Sequence, residues 1–273
     1  MSDTTHPRGR PRTAAVIPAA GRGVRLGPGA PKALRQLNGT PILVHAVRAM
    51  AQAREVSLVV VVAPPAEVAS VRLLLDEYPP LSAAVTIDLL VVPGGRSRQE
   101  SVRAGLEALP EDVAVVLVHD AARPLVPVET VDAVAAAVLA GAPAVVPALP
   151  LADTVKQIAA PSREGEPEAV LATPDRSLLR AVQTPQGFDR ATLLAAHRRL
   201  AADQAAAEAG SGKPVPAENA GDEGATDDAG MVERLGVQVL LVPGHEEAFK
   251  VTRPLDLVLA EAVLARRRKT DGF

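Results

Sequence analysis

AAVIPAAGRGVRLGPGAPK, residues 14–32, is the stretch on which the interpretation of this chain depends. Its first four residues form a short apolar run, which breaks at Pro18 into a loop of small residues. The loop carries three cations: Arg22, Arg25 and Lys32. Small residues let a backbone approach a ligand closely, and clustered N–H groups hold phosphate oxygens. The stretch therefore favours chemistry at a nucleotide phosphate, and the alternative is a plain glycine-rich turn with surface arginines.

Two well-known phosphate-binding loops do not fit this stretch. Gly21 and Gly23 begin like a dinucleotide-binding fingerprint, but Leu26 stands where the third glycine belongs. The P-loop requires a lysine between a glycine and a serine or threonine, and Lys32 has neither neighbour. The loop is therefore of another kind.

Composition narrows the class of protein. The chain has 273 residues, a net charge of −3, no cysteine and an aromatic content of 1%. The weak negative charge argues against a general nucleic-acid binder, and the lack of cysteine excludes disulfides and thiolate metal sites. No apolar run approaches the roughly 18 residues of a membrane span, and residues 1–12 lack the apolar core of a signal peptide. We expect a cytoplasmic protein with a disordered tail at 1–12 and with neither nucleic acid nor membrane as a partner.

Continuous β-branched runs alternate with helical patterns along the chain. The predicted strands are 14–17, 56–62, 85–92, 114–118, 144–146 and 237–242. Continuous runs suit strands that are buried on both faces of a mainly parallel sheet. The order predicts an α/β fold with an open, mostly parallel, doubly wound (Rossmann-like) sheet, in which ligands bind at the carboxyl ends of the strands.

Local signals place the starts of several helices. Thr40 is expected to cap a helix that has Pro41 at its first position. Ser97 and Glu100 have the spacing of a capping box. Apolar periodicity predicts two further helices, 129–139 and 254–265.

Two stretches depart from this alternation within a single predicted domain, 13–273. Residues 150–178 contain two strand-like pieces around a Pro- and Glu-rich turn, which predicts a β-hairpin arm projecting from the sheet. Residues 202–225 pass from an Ala-rich helix end into a Gly-, Ser- and Pro-rich segment, which predicts a flexible insertion.

Polar residues follow several predicted strands at the ligand edge. Asp120, directly after 114–118, could hold Mg²⁺ against phosphates, and Arg123 could bind an anion. The alternative for Asp120 is a helix cap. Ser101 could hydrogen-bond a base or ribose, although a turn and helix cap explain its segment equally well. Lys250 lies between a strand and a helix, where a solvated charge is the simpler interpretation.

The motifs, taken in their order, carry a resemblance to a known group of enzymes. They are PAAGRGVR (18–25) with Pro31 and Lys32, GGRSRQES (94–101), HDAARP (119–124), Asp153 with Thr154, TPQ (184–186), Thr226 with Asp227, and KVTRP (250–254). Over about residues 13–268 the chain resembles the cytidylyltransferases of the nucleotide-diphospho-sugar transferase superfamily. It is most similar to the 2-C-methyl-D-erythritol 4-phosphate cytidylyltransferase family. Arg96 and Ala248 depart from that pattern, since relatives often have an acidic residue and an asparagine there.

The resemblance implies a role for each matching residue. Four are implied as catalytic: Arg25 and Lys32 as transition-state stabilisers, and Arg176 and Lys250 as residues that position the substrate. Nine are implied to bind the nucleotide: Pro18, Ala19, Ala20, Gly21, Gly23, Gly95, Ser101, Asp120 and Ala121. Six are implied to bind the sugar phosphate: Arg123, Thr154, Arg176, Thr184, Thr226 and Lys250. Asp120 is also the implied ligand of Mg²⁺.

The implied activity is transfer of CMP from CTP to 2-C-methyl-D-erythritol 4-phosphate in non-mevalonate isoprenoid precursor biosynthesis. The implied assembly is a homodimer formed through the arm, so that Thr154 and Arg176 serve the active site of the partner. Two alternatives stay open at this point. One is the same chemistry on ribitol 5-phosphate, and the other is a non-catalytic nucleotide-binding regulator of the same fold.

Overall fold

The computed structural model describes residues 12–21, 32–78, 87–159, 166–211 and 227–270. The predicted tail, apart from Arg12, and residues 212–225 of the predicted insertion lie outside these ranges. The strands are β1 Arg12–Pro18, β2 Gln36–Leu37, β3 Thr40–Pro41, β4 Val56–Ala63, β5 Asp88–Pro93, β6 Val113–Val118, β7 Ala144–Pro150, β8 Gln157–Ile158, β9 Val170–Ala172, β10 Arg180–Val182, β11 Gln186–Asp189 and β12 Leu240–Pro243. The helices are α1 Ile42–Ala51, α2 Val68–Glu77, α3 Arg98–Glu107, α4 Val128–Leu139, α5 Arg190–Ser211, α6 Asp228–Glu233 and α7 Pro254–Thr270.

The central sheet has eight strands, in the order β10-β7-β11-β6-β1-β4-β5, with β12 paired to β7. Strands β6, β1, β4 and β5 pair in parallel, as does β12 with β7. The antiparallel members are β10, which pairs with β7, and β11, which lies between β6 and β7. The predicted mostly parallel α/β sheet is confirmed. The two antiparallel strands were not predicted, because their short sequences lack a continuous β-branched run.

Strand β1 shows why the apolar runs are continuous. Ala15 and Ile17 face the core on one side of the sheet, which includes buried residues of α1 and α4. Ala14 and Val16 face the other side, where α3 and α5 pack. Because helices cover both faces, every position from Ala14 to Ile17 is both buried and apolar. Because β1, β4, β5 and β6 run parallel, their carboxyl ends lie at one common edge of the sheet, after Pro18, Ala63, Pro93 and Val118.

The start of α1 differs from the prediction. Thr40 and Pro41 form β3, which pairs with β2 across a tight turn at Asn38 and Gly39. Both turn residues have positive φ angles, 52° and 77°, which is typical of a two-residue hairpin. The helix begins at Ile42 with Pro41 as its N-cap and no side-chain capping bond. The predicted Thr40 cap is therefore wrong, because the hairpin takes the chain up to the helix.

The predicted Ser97 cap of α3 is confirmed, whereas the return bond of the capping box reaches the amide of Arg96 instead of that of Ser97. The hydroxyl of Ser97 accepts a hydrogen bond from the amide of Glu100 at 3.1 Å. The carboxylate of Glu100 accepts in turn from the amide of Arg96 at 2.6 Å. Helix α4 agrees with its prediction within one residue, whereas α7 continues five residues beyond 265, to Thr270.

The predicted arm contains an antiparallel hairpin of β8 and β9, in which Gln157 pairs with Ala172 and Ile158 with Val170. Its surface and the chain that follows it are unusually apolar for exposed positions. Val170, Leu171 and Leu178 are 57%, 64% and 82% exposed. Isolated exposed apolar residues are normal, but three of them within nine positions favour a contact surface in this segment.

Gly187 in β11 provides a test of the sheet. A Cβ atom there would lie 2.5 Å from Cγ1 of Val134 and 3.1 Å from Cδ2 of Leu117. Gly187→Ala is expected to lower the free energy of unfolding by about 1–3 kcal/mol, because the core must shift to admit the methyl group. Gly21→Ala is the matched control, since a Cβ there meets no atom within 4 Å. Urea unfolding measures both, and equal stability of the two variants would contradict the packing of β11.

Candidate active site

A cleft opens at the common edge where the parallel strands end, with a volume of about 230 Å³. Its walls come from the segments that follow β1, β5 and β6 and from the segment before α7. Fourteen described residues line it: Pro18, Ala19, Ala20, Gly21, Ala33, Gly95, Arg96, Ser97, Arg98, Ser101, Asp120, Ala121, Ala122 and Lys250. This is the edge at which open α/β sheets bind ligands.

Strand β4 fixes the two glycine-containing loops of the cleft. The amide of Ala19, after β1, donates to the carbonyl of Val62 at 2.8 Å. The amide of Gly94, after β5, donates to the carbonyl of Ala63 at 2.8 Å. A Cβ at Gly94 would lie 3.1 Å from Cβ of Ala20, so the loop after β1 and the loop after β5 pack closely because Gly94 has no side chain. The floor of the cleft is therefore formed by the backbone of these two loops, and hydrogen bonds to β4 hold it in place.

Ser101 lies in the first turns of α3 and is 2% exposed. Its hydroxyl donates to the carbonyl of Ser97 at 2.9 Å and accepts from the amide of Gly95 at 3.2 Å. The hydroxyl thus ties the glycine loop to the N-terminus of α3, beside the cleft. Helix N-termini favour anions because their free N–H groups and the helix dipole point at them.

Asp120 is the centre of the charged side of the cleft. Its carboxylate lies 2.8 Å from Nζ of Lys250, 3.6 Å from Nε of Arg98 and 3.8 Å from Nε of Arg123. We call these four residues the Asp120 cluster. Burial alone would raise the pKa of Asp120, but Arg98, Lys250 and Arg123 outweigh it and hold the pKa well below its usual range. The carboxylate is consequently ionised throughout the neutral range.

Backbone contacts bring Lys250 to Asp120. The amide of Val251, the next residue, donates to the carbonyl of Ala122 at 2.8 Å. The side chain of Lys250 is 42% exposed, so it borders both the carboxylate and solvent. A lysine in a loop before a helix is thus part of the cleft rather than an isolated surface charge.

His119 and Thr184 lie behind Asp120. His119 is fully buried, and burial lowers its pKa to about 4, so its ring is neutral at pH 7. Its Nε2 lies 3.1 Å from the carbonyl of Arg123, and its Nδ1 lies 3.1 Å from the hydroxyl of Thr184. The same hydroxyl accepts from the amide of Asp120 at 3.1 Å.

Arg98 is a cleft residue that the sequence reasoning missed. Its guanidinium bridges Asp120 and Asp228, with Nη2 at 2.7 Å from Oδ2 of Asp228. Asp228 is fully buried, and Nε2 of His197 lies 3.4 Å from its Oδ1. Burial would raise the pKa of Asp228, and Arg98 and His197 lower it below its usual value. No local signal marked Arg98, because its partner is far away in sequence.

The neighbouring carboxylate, Asp227, fixes the start of α6. Its side chain caps the helix by accepting from the amide of Gly230 at 2.9 Å. It also accepts from Nε2 of Gln186 at 2.6 Å, while Oε1 of Gln186 accepts from the amide of Ala229 at 3.1 Å. Gln186 belongs to β11, so the segment with Asp228 is anchored to the sheet beside the cleft.

The structure brings many of the predicted site residues together. Eight of the nine predicted nucleotide-binding residues line the cleft: Pro18, Ala19, Ala20, Gly21, Gly95, Ser101, Asp120 and Ala121. Lys250 lines it as well. Gly23, Arg25 and Thr226 lie outside the described residues, and Lys32 begins a short 3-10 turn but its side chain is not described.

The remaining predicted residues do not line the cleft within this chain. Arg123 donates to the carbonyl of Ala248 at 2.8 Å, so the departure at that position leaves this backbone contact intact. Thr154 and Arg176 are exposed in the arm, where Arg176 donates to the carbonyl of Ala152. Arg96, the other departure from the family pattern, does line the cleft; it is exposed at the rim, 3.6 Å from the carboxylate of Glu100.

Asp120 is the cleft residue with the chemistry to bind Mg²⁺. Asp120 is the only carboxylate among the described residues that line the cleft, and those residues contain no group of three potential metal ligands. Mg²⁺ keeps several waters and commonly binds through one or two carboxylates together with substrate phosphates. One ionised carboxylate in a cleft open to phosphates therefore fits this ion, provided that the nucleotide supplies the other ligands.

These features define a class of protein. An open parallel sheet with a glycine-rich loop and an ionised Asp beside cations at its carboxyl edge is typical of nucleotide-binding α/β enzymes. No helix in the part of the chain that the structure describes is long and apolar enough to cross a membrane.

Comparison with known proteins identifies the family. A family model described as 2-C-methyl-D-erythritol 4-phosphate cytidylyltransferase matches residues 13–266. A protein of that name from Streptomyces avermitilis is 64% identical, with 100% of each chain covered. The crystal structure of the Thermus thermophilus protein of that name is 35% identical, with a TM-score of 0.62 over 93% of this chain and 99% of that chain. The chain belongs to the 2-C-methyl-D-erythritol 4-phosphate cytidylyltransferase family, as the resemblance predicted.

A second solved structure agrees in fold. The 4-diphosphocytidyl-2C-methyl-D-erythritol synthase from Anaerococcus prevotii has a TM-score of 0.71 and 25% identity, over 93% of this chain and 96% of that chain. The chain is therefore a cytidylyltransferase with the α/β fold of its relatives.

The buried pair of Arg98 and Asp228 gives a test of stability. Asp228→Asn is expected to cost about 3–5 kcal/mol, because it leaves a largely buried guanidinium without its nearer counter-charge. Asp203→Asn, in an exposed pair with Arg199, should cost less than about 1 kcal/mol. Urea unfolding at pH 7 measures both. Because the folded pKa of Asp228 is lowered, its contribution is present at neutral pH and is lost as the pH falls below about 4. The difference from wild type should shrink there, and a constant difference would contradict the ion pair.

Proposed function

We propose that this chain transfers CMP from CTP to 2-C-methyl-D-erythritol 4-phosphate. The products are 4-diphosphocytidyl-2-C-methyl-D-erythritol and pyrophosphate, and the reaction supplies isoprenoid precursors. Membership of the family supports the reaction. The structural observation that carries it is the Asp120 cluster beside the backbone loops of the cleft, with Lys250 at 2.8 Å from the carboxylate.

The reaction depends more on stabilisation of negative charge than on proton transfer. A phosphate oxygen of the sugar phosphate forms a bond to the α-phosphorus of CTP, and the bond from that phosphorus to the bridging oxygen breaks as pyrophosphate leaves. The attacking oxygen is already anionic at pH 7, so no general base is required. Catalysis then depends on alignment of two anions and on stabilisation of the charge that develops.

The cations of this chain fit that requirement. We assign Lys250 and Arg176 to the attacking phosphate, and Arg25 and Lys32 to the triphosphate. Lys250 is half-exposed and already oriented by Asp120, so an incoming phosphate reaches it without a large rearrangement. Arg98 contributes positive charge on the same side of the cleft, and Asp228 keeps its position fixed. The floor formed by Ala19–Gly21 and Gly95 is assigned to the nucleotide.

Asp120 is the residue that would hold Mg²⁺. The ion, when bound, supplies neutralisation of the triphosphate charge. The chain keeps the Asp120 carboxylate ionised for this purpose, because the three cations around it lower its pKa.

An assay of substrates tests the proposed function. Purified protein is incubated with CTP and Mg²⁺ together with either 2-C-methyl-D-erythritol 4-phosphate or ribitol 5-phosphate, and pyrophosphate release is followed; ATP and UTP serve as controls. Release that requires CTP and the methylerythritol substrate supports the proposal. Release with ribitol 5-phosphate alone would assign the other substrate, and no release with either would indicate a nucleotide-binding regulator.

Lys250→Met tests the cation beside Asp120. We expect kcat to fall by about two orders of magnitude or more, because a charge that stabilises the transition state is lost. The fold should survive, because the Lys250 side chain is 42% exposed and both Arg98 and Arg123 still face the Asp120 carboxylate in its absence. Lys269→Met, on the exposed end of α7, is the control and should retain normal turnover. Near-normal turnover of Lys250→Met would remove this lysine from the mechanism.

We also propose that the chain works as a homodimer joined through its arm. The exposed apolar cluster of Val170, Leu171 and Leu178 supports a contact surface there. Thr154 and Arg176 do not line the cleft of their own chain. A second copy would bury the apolar cluster and bring these two residues to the cleft of its partner.

Mixing two inactive variants tests the shared site. Arg176→Ala and Lys250→Met are each expected to be nearly inactive alone. After unfolding and refolding together in equal amounts, about a quarter of wild-type activity should appear, since half of the dimers are mixed and each mixed dimer has one intact site. Refolding each variant alone is the control. Absence of recovery, with mixed dimers present, would show that Arg176 does not serve the partner.

A further inference from the structure

Thr184 is a buried hydroxyl residue directly behind Asp120. It is 5% exposed, and its Oγ1 lies 3.1 Å both from the amide nitrogen of Asp120 and from Nδ1 of His119. The ring of His119 is fully buried and does not line the cleft. The proposed reaction uses neither of these two side chains.

The direction of each hydrogen bond follows from the atoms involved. A backbone amide can only donate, so the Thr184 hydroxyl accepts from Asp120. A carbonyl can only accept, so Nε2 of the neutral His119 ring carries the proton and donates to Arg123. Nδ1 is then an acceptor, and the Thr184 hydroxyl must donate its only proton to it.

These bonds close a ring around one turn of the chain. Within the turn, the amide of Arg123 donates to the carbonyl of Asp120 at 2.9 Å. His119 holds the far end of the turn through the carbonyl of Arg123, and Thr184 holds its start through the amide of Asp120. The direction of the Asp120 side chain toward Lys250 and Arg98 depends on the backbone of this turn.

We propose that Thr184 and His119 are positioning residues that fix the turn bearing Asp120, and that Thr184 acts on the reaction through that turn. Because its hydroxyl proton is already donated inside the protein, Thr184 does not donate to the substrate phosphate. This is a narrower role than the substrate contact that the resemblance implies. The inference rests on the proposed function only where activity is the readout.

Two variants of Thr184 separate the hydroxyl from the shape of the side chain. Thr184→Val keeps the shape and removes the hydroxyl. It should lower kcat at least about tenfold through misalignment, with little change in KM for the sugar phosphate. The amide proton resonance of Asp120 should move upfield as its hydrogen bond is lost. Thr184→Ser should restore both kcat and the resonance.

Substitution of His119, which accepts the Thr184 proton, provides an independent test. His119→Leu removes the acceptor of the Thr184 proton and should lower kcat by a similar factor. The double variant Thr184→Val/His119→Leu should show little further loss, because the two residues act as one unit. Thr130→Val is the matched control, since Thr130 is another buried threonine, on α4 and outside the cleft. It should leave kcat and the Asp120 resonance unchanged even if the protein becomes less stable.

Two results would overturn the inference. One is an unchanged Asp120 amide resonance in Thr184→Val. The other is a normal kcat in His119→Leu combined with a raised KM for the sugar phosphate in Thr184→Val, which would indicate direct substrate contact. If the wild-type protein shows no CTP-dependent reaction, the proposed function fails. The Asp120 amide resonance in Thr184→Val then still tests whether Thr184 fixes the turn, so the two failures are distinguishable.

Discussion

Asp120 is a nearly buried carboxylate at the edge of the sheet, with its side chain 12% exposed, and three cations face it. Burial of a lone carboxylate would favour its neutral form, so the cations are what keep it charged. Each cation arrives from a different direction along the chain: Arg98 from the start of α3, Arg123 from the turn after β6, and Lys250 from the segment before α7. The ion pairs of the Asp120 carboxylate thus link three segments that are distant in the sequence.

The surrounding structure supports this arrangement at a second level. Arg98 also forms an ion pair with the fully buried Asp228, and this second pair holds the guanidinium in place beside Asp120. Gln186 in β11 anchors Asp227, next to Asp228, and thereby joins the antiparallel strand to the charged cluster. Buried ion pairs contribute little net stability compared with apolar packing, yet breaking one is costly. Such a network therefore serves alignment in the cleft more than stability of the fold.

The sequence predicted what short-range physics determines. Continuous apolar runs gave the parallel strands, and the spacing of Ser97 and Glu100 gave the cap of α3, because both depend on neighbours along the chain. The Thr40 cap failed since the left-handed turn at Asn38 and Gly39 redirected the chain. Arg98 was missed because its partner, Asp228, is brought to it only by tertiary folding. The family resemblance placed most of the cleft residues. The hydrogen-bond ring behind Asp120 was not predicted, because it joins Thr184 to a turn that is distant in the sequence.

Three cations keep Asp120 ionised, and titration of its carboxyl carbon by ¹³C NMR tests this charge balance most directly. The carboxyl resonance is expected to stay constant from neutral pH down to about 4, the ordinary pKa of an aspartate. The apparent pKa of Asp120 is expected to be higher in Lys250→Met than in the wild-type protein. A wild-type midpoint at or above about 4, or no change on removing the lysine, would contradict the charge balance on which the site depends.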